Sequence, residues 1–504
     1  MQPNIIIIMS DQQRADLRAA NGYELDTMPF LDSWAKGGVD FECAYTPNPT
    51  CMAARVSMFT GRYAESHNVR TNHNKSDALF TKDLLDILKE QGYKTAICGK
   101  NHSHHDNIAF DFSRCNGHMG SEEAETPDEA QFSKFLAEMK HQISDDPAPD
   151  DITVQYPYRN VSHALEFIDS VNNKNPFFVW LSFAEPHNPY QVPKPYFDMF
   201  PSDKLPPIST ANIDLSLKGH KFQFMRNMWE KLMGKDTDYR IQRARSNYLG
   251  LLRLIDDQVK RITKGLEERG IADNTIVIYL SDHGDFMGEY GLIRKGPDLP
   301  DILTRIPMIW HGPGIKAQDK MSKYCVNTVD ILPTICDLLG VEIPFGCQGK
   351  SLAPILAGEN VPEKEFEIAY SENGFGGLYW TEEDELDIAI EGASNPQITR
   401  FDELNSWTQS GQVRMVRKGD YKIQLDMMGN GYLYNLKQDP LEVDNLWNNK
   451  SYTAVKADMM SALAMMMMRA CDTLPSPKNR YRVKVHPKGY WDSNYTCSDP
   501  GIRK

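Results

Sequence analysis

Four short apolar runs, far apart in the chain, each end on residues able to do chemistry. Asn4–Met9 is almost all isoleucine and runs into Ser10, Asp11 and Gln12. Lys94–Cys98 leads to Gly99 and Lys100, and Phe177–Phe183 opens into Glu185, Pro186 and His187. Thr275–Leu280 opens into Ser281, Asp282, His283, Gly284 and Asp285. Apolar runs of this length, without polar alternation, read as strands buried on both faces, as in a parallel sheet. Ligands of such sheets sit beyond the carboxyl ends of the strands. Asp11, Lys100, His187 and Asp282 are therefore expected to meet in space.

The segments between these runs read as helices. Met28–Gly37, Ser162–Val171 and Val329–Leu339 are three of them. Thr81–Gln91 is another, with Thr81 as its N-cap and Gly92 as its stop. The clearest is Asp238–Arg269, where Tyr248, Leu252, Ile255, Val259, Ile262 and Leu266 recur every three or four residues. Ile306–Trp310 is a further strand. Residues 116–160 are polar and acidic, with DDPAPDD at 145–151, and read as an insertion or surface loop. Residues 188–237 are Pro-rich at first and read as irregular.

This alternation predicts an α/β domain over residues 1–365, a large, mainly parallel mixed sheet flanked by helices. Beyond it the pattern changes. Gln412–Leu425 and Gly431–Asn435 read as antiparallel strands, and Ser451–Arg469 as a Met-rich helix. Residues 366–504 are thus expected to form a smaller α+β subdomain with an antiparallel sheet, ending in a tail at 475–504 that has no assignment.

A chain of 504 residues can bury a large core. Its net charge of −14 disfavours nucleic acid as a partner. No apolar run reaches membrane-spanning length, so no membrane partner is expected. The N-terminus has neither a basic start nor a small-residue cleavage site. As it stands the chain reads as cytoplasmic, or as periplasmic or secreted if a signal was removed. Nine cysteines without a CxxC pair favour reduced thiols.

Local positive charge nevertheless gathers early, at Arg55, Arg70, His73, Lys100, His102, His104 and His105. Cys51 to Arg62 reads CMAARVSMFTGR, a helix start with Thr50 as cap and Gly61 as stop. A helix N-terminus favours an anion and lowers a thiol pKa. Arg55, one turn on, shares a face with Cys51. Asp11, Gln12, Asp282 and His283 form a plausible divalent-cation set. The oxygens suit Ca²⁺ or Mg²⁺, and the imidazole tilts the choice towards Mn²⁺. His104 and His105 make a second metal site conceivable. Each feature alone has a bland reading: a structural Cys, an Asp in a turn, a solvated basic loop. Their number, and their common place at strand ends, outweighs those readings.

The pattern C-x-(P/A)-x-R followed by TGR resembles the signature of the type I sulfatases, within the alkaline phosphatase superfamily. Ala53 stands where that family usually has Pro. GKNH at 99–102 is similar to the family's G-K-W-H, AEPHNP to its H-x-P element, and SDHGD with the later GLIRKG to its metal and lysine elements. VRKGDYKIQL and YLYNLKQDPLEVDNL resemble its C-terminal subdomain. The resemblance spans nearly the whole chain in the family's order. It implies a sulfuric ester hydrolase in which a maturation enzyme oxidises Cys51 to formylglycine, whose hydrate attacks sulfur. It implies Asp11, Gln12, Cys51, Asp282 and His283 around a metal, Ca²⁺ by family habit and Mn²⁺ or Mg²⁺ as alternatives. It implies catalytic roles for Arg55, Lys100, His102, His187 and Lys295, with Arg294 as the matching residue instead of Lys295 or as a substrate binder. Arg70, Asn72, His73, His104 and His105 are further candidates for recognising a polar leaving group, with a sulfated saccharide as the expected substrate. Two other readings remain: a phosphodiesterase or phosphonate monoester hydrolase of the same superfamily, and a sulfate-ester-binding pseudoenzyme with Cys51 unmodified. A papain-like Cys/His hydrolase is disfavoured, because the metal pairs would have no task in it.

Overall fold

A computed structural model describes residues 2–121, 126–139, 142–149, 151–171, 175–374, 381 and 411–472. Its strands in chain order are β1 (Asn4–Asp11), β2 (Val39–Tyr45), β3 (Lys94–Gly99), β4 (Phe112–Gly117), β5 (Gly120–Ser121), β6 (Phe177–Pro186), β7 (Thr275–Ser281), β8 (Met308–His311) and β9 (Ser322–Asn327). These make one sheet of nine strands among the described residues, in the order β5-β4-β3-β6-β1-β7-β8-β2-β9. The pairs β4/β3, β3/β6, β6/β1, β1/β7 and β2/β9 are parallel. The pairs β5/β4, β7/β8 and β8/β2 are antiparallel. The four apolar runs are thus neighbours, in the order β3-β6-β1-β7, and all point the same way.

The isoleucine run explains itself here. Ile6 and Ile8 enter one core with Val179, Leu181, Val277 and Tyr279. Ile5 and Ile7 enter the other with Phe178, Trp180, Ile276 and Ile278. Both faces of β1 are covered, so every side chain from Ile5 to Ile8 is buried. Each such side chain contributes about 1.5–3 kcal/mol of burial. The first core is closed by the helix Thr237–Glu268, which brings Tyr248, Leu252, Ile255, Val259, Ile262 and Leu266, and by the helix Tyr156–Ser170. The second is closed by the helices Leu84–Glu90 and Ile331–Leu339.

A second sheet is fully antiparallel: β10 (Ile368–Asn373), β11 (Val413–Lys418), β12 (Tyr421–Asp426) and β13 (Gly431–Asn435). The helix Thr453–Ala470 packs on it through Met459, Leu463 and Met466. Tyr63 and Val329 join that same core, tying the small sheet to the large one. The end of β10 also touches the chain just before Cys51, where Glu372 N donates to Pro47 O at 2.8 Å.

Several local expectations change. The helix after Thr81 starts at Leu84, and Asp83 is its N-cap in a reciprocal capping box with Asp86. The Thr81 hydroxyl is instead turned onto a neighbouring segment, donating to Phe345 O at 2.6 Å. Residues 116–160 are not one loop. They hold the end of β4, the short β5, the helix Pro127–Met139 and the start of the helix Tyr156–Ser170, whose apolar contacts are too sparse for a clear period. The stretch 188–237 contains the helix His220–Met233, which buries Phe222, Met225, Met228 and Trp229. Gln412–Leu425 is a hairpin, β11 and β12, turned at Gly419. The tail 475–504 lies outside the described residues.

Candidate active site

The four strand ends meet as their adjacency requires. Gly99 carries a φ of 107° and lies so close to β6 that an added Cβ would fall 1.9 Å from Ser182 O. Only glycine allows that approach, and it aims the next residue, Lys100, into the site. Gln12 and His102 also hold left-handed backbone, with φ of 67° and 45°. Non-glycine residues adopt this conformation at a cost of roughly 1–3 kcal/mol and keep it where the surroundings impose it.

Cys51 opens the helix Cys51–Thr60. Thr50 takes the N-cap position with extended backbone but makes no side-chain cap bond, while Gly61 closes the other end in the left-handed region. The cap role falls partly to Asn72, whose Oδ1 accepts from Met52 N at 3.2 Å. Cys51 Sγ lies 3.1 Å from His283 Nε2, 3.2 Å from Lys295 Nζ and 3.8 Å from Asp11 Oδ1. Burial and Asp11 push the thiol up, but Lys100, Lys295 and His283 outweigh them and hold its pKa well below the ordinary value.

Arg55 is fully buried and spends its guanidinium on the frame. Nε donates to Asp282 Oδ2 at 3.0 Å and Nη2 to Asp11 Oδ2 at 2.9 Å. Nη1 donates to Ser182 Oγ at 2.8 Å and to Lys100 O at 2.9 Å. The guanidinium carbon lies 5.7 Å from the Trp180 ring centre. Burial alone would lower the arginine pKa; Asp282 and Asp11 raise it. Lys100 Nζ donates to Asp11 Oδ2 and lies 2.8 Å from His118 Nε2. Despite burial, Asp11 stays well below the usual carboxylate range because of Lys100 and Arg55. Asp282 is raised by burial and by Asp11.

One carboxylate oxygen of each of Asp11 and Asp282, the His283 imidazole and Cys51 Sγ lie within 4.8 Å of one another. Gln12, fully buried beside them, has neither its amide oxygen nor its amide nitrogen hydrogen-bonded. A buried amide left without a partner costs about 1–3 kcal/mol, and a cation bound between these carboxylates would take its oxygen. His283 Nδ1 faces Gly284 O at 2.9 Å, which leaves Nε2 as the ligating nitrogen. The donor set therefore fits a divalent cation.

The remaining expected residues are placed as follows. His102 is bonded to Cys51, and burial lowers its pKa. His187 is buried, with Nδ1 2.6 Å from Asn188 O. Lys295 is carried by a loop that Asp285 ties down, accepting from Met287 N and Arg294 N, both at 2.8 Å, and from Tyr190 OH at 3.0 Å. The Arg294 guanidinium lies over Trp229, 5.1 Å from the ring centre. Arg70 is 3.9 Å from Glu65 and His73 is exposed.

His104 and His105 turn elsewhere, onto buried Asp83, with Nε2–Oδ2 separations of 2.8 and 2.5 Å. Burial would raise Asp83; the two imidazoles lower it. Those separations are hydrogen bonds, shorter than the roughly 3.3 Å between nitrogen and oxygen ligands of one tetrahedral ion. The three ligand atoms lie within 4.8 Å of one another, and as they stand the trio clasps the loop after Lys100 through these hydrogen bonds.

Three residues near the site, Trp180, Ser182 and His118, carried no sequence signal. Ser182 and Trp180 sit inside an apolar strand. Glu185, one residue before the end of that strand, is buried and pushed up to about 7 by desolvation. His118 follows a glycine in a short hairpin turn, with no motif around it.

The comparisons with known proteins agree with this geometry. The family model described as Sulfatase matches residues 3–341. An arylsulfatase of Clostridium perfringens is 28% identical over 485 residues, covering 90% of this chain and 92% of the relative. A Delta 4,5-hexuronate-2-O-sulfatase of Bacteroides thetaiotaomicron is 26% identical, covering 97% and 94%. Among solved structures, the phosphonate monoester hydrolase of Agrobacterium radiobacter superposes with a TM-score of 0.72 at 20% identity, covering 93% of this chain and 96% of that one. A 2-O GAG sulfatase superposes with a TM-score of 0.69 at 23% identity, covering 94% and 93%. The two structures establish the shared fold, and the family match over two-thirds of the residues establishes descent: this chain belongs to the sulfatases, the enzymes that hydrolyse sulfuric esters.

Proposed function

We propose that this protein removes sulfate from a sulfated carbohydrate, with formylglycine derived from Cys51 as nucleophile and a divalent cation held by Asp11, Gln12, Asp282 and His283. One observation carries the reading. Cys51 Sγ lies within 3.2 Å of both His283 Nε2 and Lys295 Nζ, beside a buried Gln12 amide that lacks a partner.

The cation would supply Lewis-acid stabilisation of negative charge on oxygen. The chain supplies the rest. Arg55 holds Asp11 and Asp282 in register and acts to lower the pKa of each. Lys100 and Lys295 place fixed positive charge where sulfuryl oxygens gather negative charge, in a site dry enough for it to count. His102, lowered by burial, takes a proton from the remaining hydroxyl of the hydrate, so that the sulfate ester collapses, sulfate leaves and the aldehyde returns. His187 and Lys295 face the departing ester oxygen, and one of them returns a proton to it. Two carboxylates opposite three cations, Arg55, Lys100 and Lys295, suit an anionic substrate in a chain whose overall charge is −14.

The relative whose name specifies a hexuronate 2-O-sulfate makes an acidic sugar the substrate class to test first. Calcium is the first metal to test, with Mn²⁺ favoured by the imidazole ligand. The experiment is twofold. Mass spectrometry of the Cys51 peptide, from cells with a competent maturation enzyme, should show thiol replaced by aldehyde. The converted protein should release sulfate from a sulfated disaccharide faster than it cleaves an aryl phosphonate monoester. Intact Cys51 together with tight sulfate-ester binding and no turnover would instead support the binding-protein reading.

A further inference from the structure

We propose that His118 is a positioning residue of the sulfatase reaction, setting the ammonium of Lys100 and the ring of His187 with one side chain. The proposal rests on the function proposed above. His118 stands in the turn between β4 and β5, and β4 lies beside β3, whose end carries Lys100. The His118 ring is stacked on that of His187, with centroids 3.7 Å apart and planes 18° apart. Its Nε2 is 2.8 Å from Lys100 Nζ. It also lines a cleft of about 550 Å³ together with Lys100, Asn101 and His102.

The chemistry of these contacts assigns the protons. An ammonium has only donors, so His118 Nε2 accepts and its own proton sits on Nδ1. His118 is then neutral, and its π face is open to a cation. His187 Nδ1 donates to Asn188 O, so His187 gives a proton from Nε2 only as an imidazolium. A neutral ring stacked on it favours that form, where a second cation would oppose it. When the ester bond breaks, the His187 Nε2–H bond breaks with it. The proton joins the departing oxygen, and His187 is left neutral on the same stack. Lys100 meanwhile stays anchored between Asp11 and His118, at the place where sulfuryl oxygens bind.

Two substitutions separate the contacts. H118Q keeps an acceptor for Lys100 and removes the stack. H118F keeps the stacked ring and removes the acceptor. Both are assayed as converted, metal-loaded enzyme on aryl sulfates of graded leaving-group pKa. H118Q should lose about tenfold in kcat/KM on the poorest leaving groups and little on the best, steepening the dependence. H118F should lose about tenfold across the whole series, with the slope unchanged. Wild-type slopes and rates in both variants would overturn the proposal. So would equal, uniform losses in both that track a lowered melting temperature, since that is what a merely structural role gives. A wild-type enzyme inactive on this series and on the sulfated disaccharide would overturn the functional reading, and this proposal with it. If only the disaccharide is turned over, both variants should lose about tenfold in kcat/KM on it, and unchanged rates there overturn the proposal. An active wild type with unaffected variants overturns this proposal alone.

Discussion

Arg55 Nε lies 3.0 Å from Asp282 Oδ2, with both side chains completely buried. The same guanidinium reaches Asp11 at 2.9 Å. The arginine is thus the counter-charge that lets two carboxylates share a dry site. Removing one partner of such a set leaves an uncompensated buried charge, at a cost of about 3–5 kcal/mol. Lysine cannot span both carboxylates, because it lacks the planar fork. R55K should therefore melt several degrees lower and lose at least roughly a hundredfold in kcat. Calorimetry and steady-state rates on the same preparation check both outcomes.

Gln12 supplies the second prediction. If its amide oxygen is a metal ligand, Q12A removes one ligand and no hydrogen bond, since neither polar atom has a partner. Q12A should melt close to wild type after chelation. It should lose about ten- to a hundredfold in metal affinity. Titration calorimetry with Ca²⁺ and Mn²⁺ reads this directly. Equal affinities in the two proteins would remove Gln12 from the site.

Ala53 leads to a third. It lies in the first turn of its helix, where Ala54 N makes the 2.9 Å bond to Thr50 O. Proline is tolerated in a first turn, where its missing N–H costs no intrahelical bond. A53P should therefore fold as wild type does. It also restores the family's usual residue, so the fraction of Cys51 converted by a maturation enzyme should rise. Circular dichroism and peptide mass spectrometry are the two readouts.

Asp256 gives a pH dependence away from the site. It accepts from Phe30 N and Leu31 N at 2.9 and 2.7 Å, capping the helix that begins at Pro29. Burial pushes it up to about 7, against those bonds and Arg253. The folded pKa lies above the unfolded value of about 3.9, so the fold binds this proton more tightly. Its contribution is complete below about pH 4 and is lost as pH rises towards 7. D256N should flatten that slope by up to about 1.4 kcal/mol per pH unit. Urea midpoints across the window would show a parallel loss in both proteins if Asp256 is not responsible.

The β1 run and its three companions were legible as buried strands because a strand covered on both faces needs no polar alternation. Their common polarity, with Asp11, Lys100, His187 and Asp282 at the ends, followed from the α/β alternation. The long helix was legible because six apolar residues keep one face over more than five turns. Asp83 as a cap was not, since Thr81 has a comparable propensity and the choice depends on where the helix docks. The helices inside 116–160 and 188–237 were hidden for a related reason. Their apolar contacts are few or lie on broad faces, and packing rather than periodicity sustains them.

By itself, then, the sequence determined which residues stand at the ends of which strands, because strand burial and chain order are local properties. It also determined that Cys51, Arg55 and the Asp11 and Asp282 pairs belong to one site. Only the tertiary structure decided what each side chain does with its free valences. It turned His104 and His105 onto Asp83, set Arg55 between two carboxylates, and left Gln12 without a partner. It also stacked His118, from a turn with no motif, on His187. Those outcomes depend on distances across neighbouring strands, and a one-dimensional spacing does not encode them.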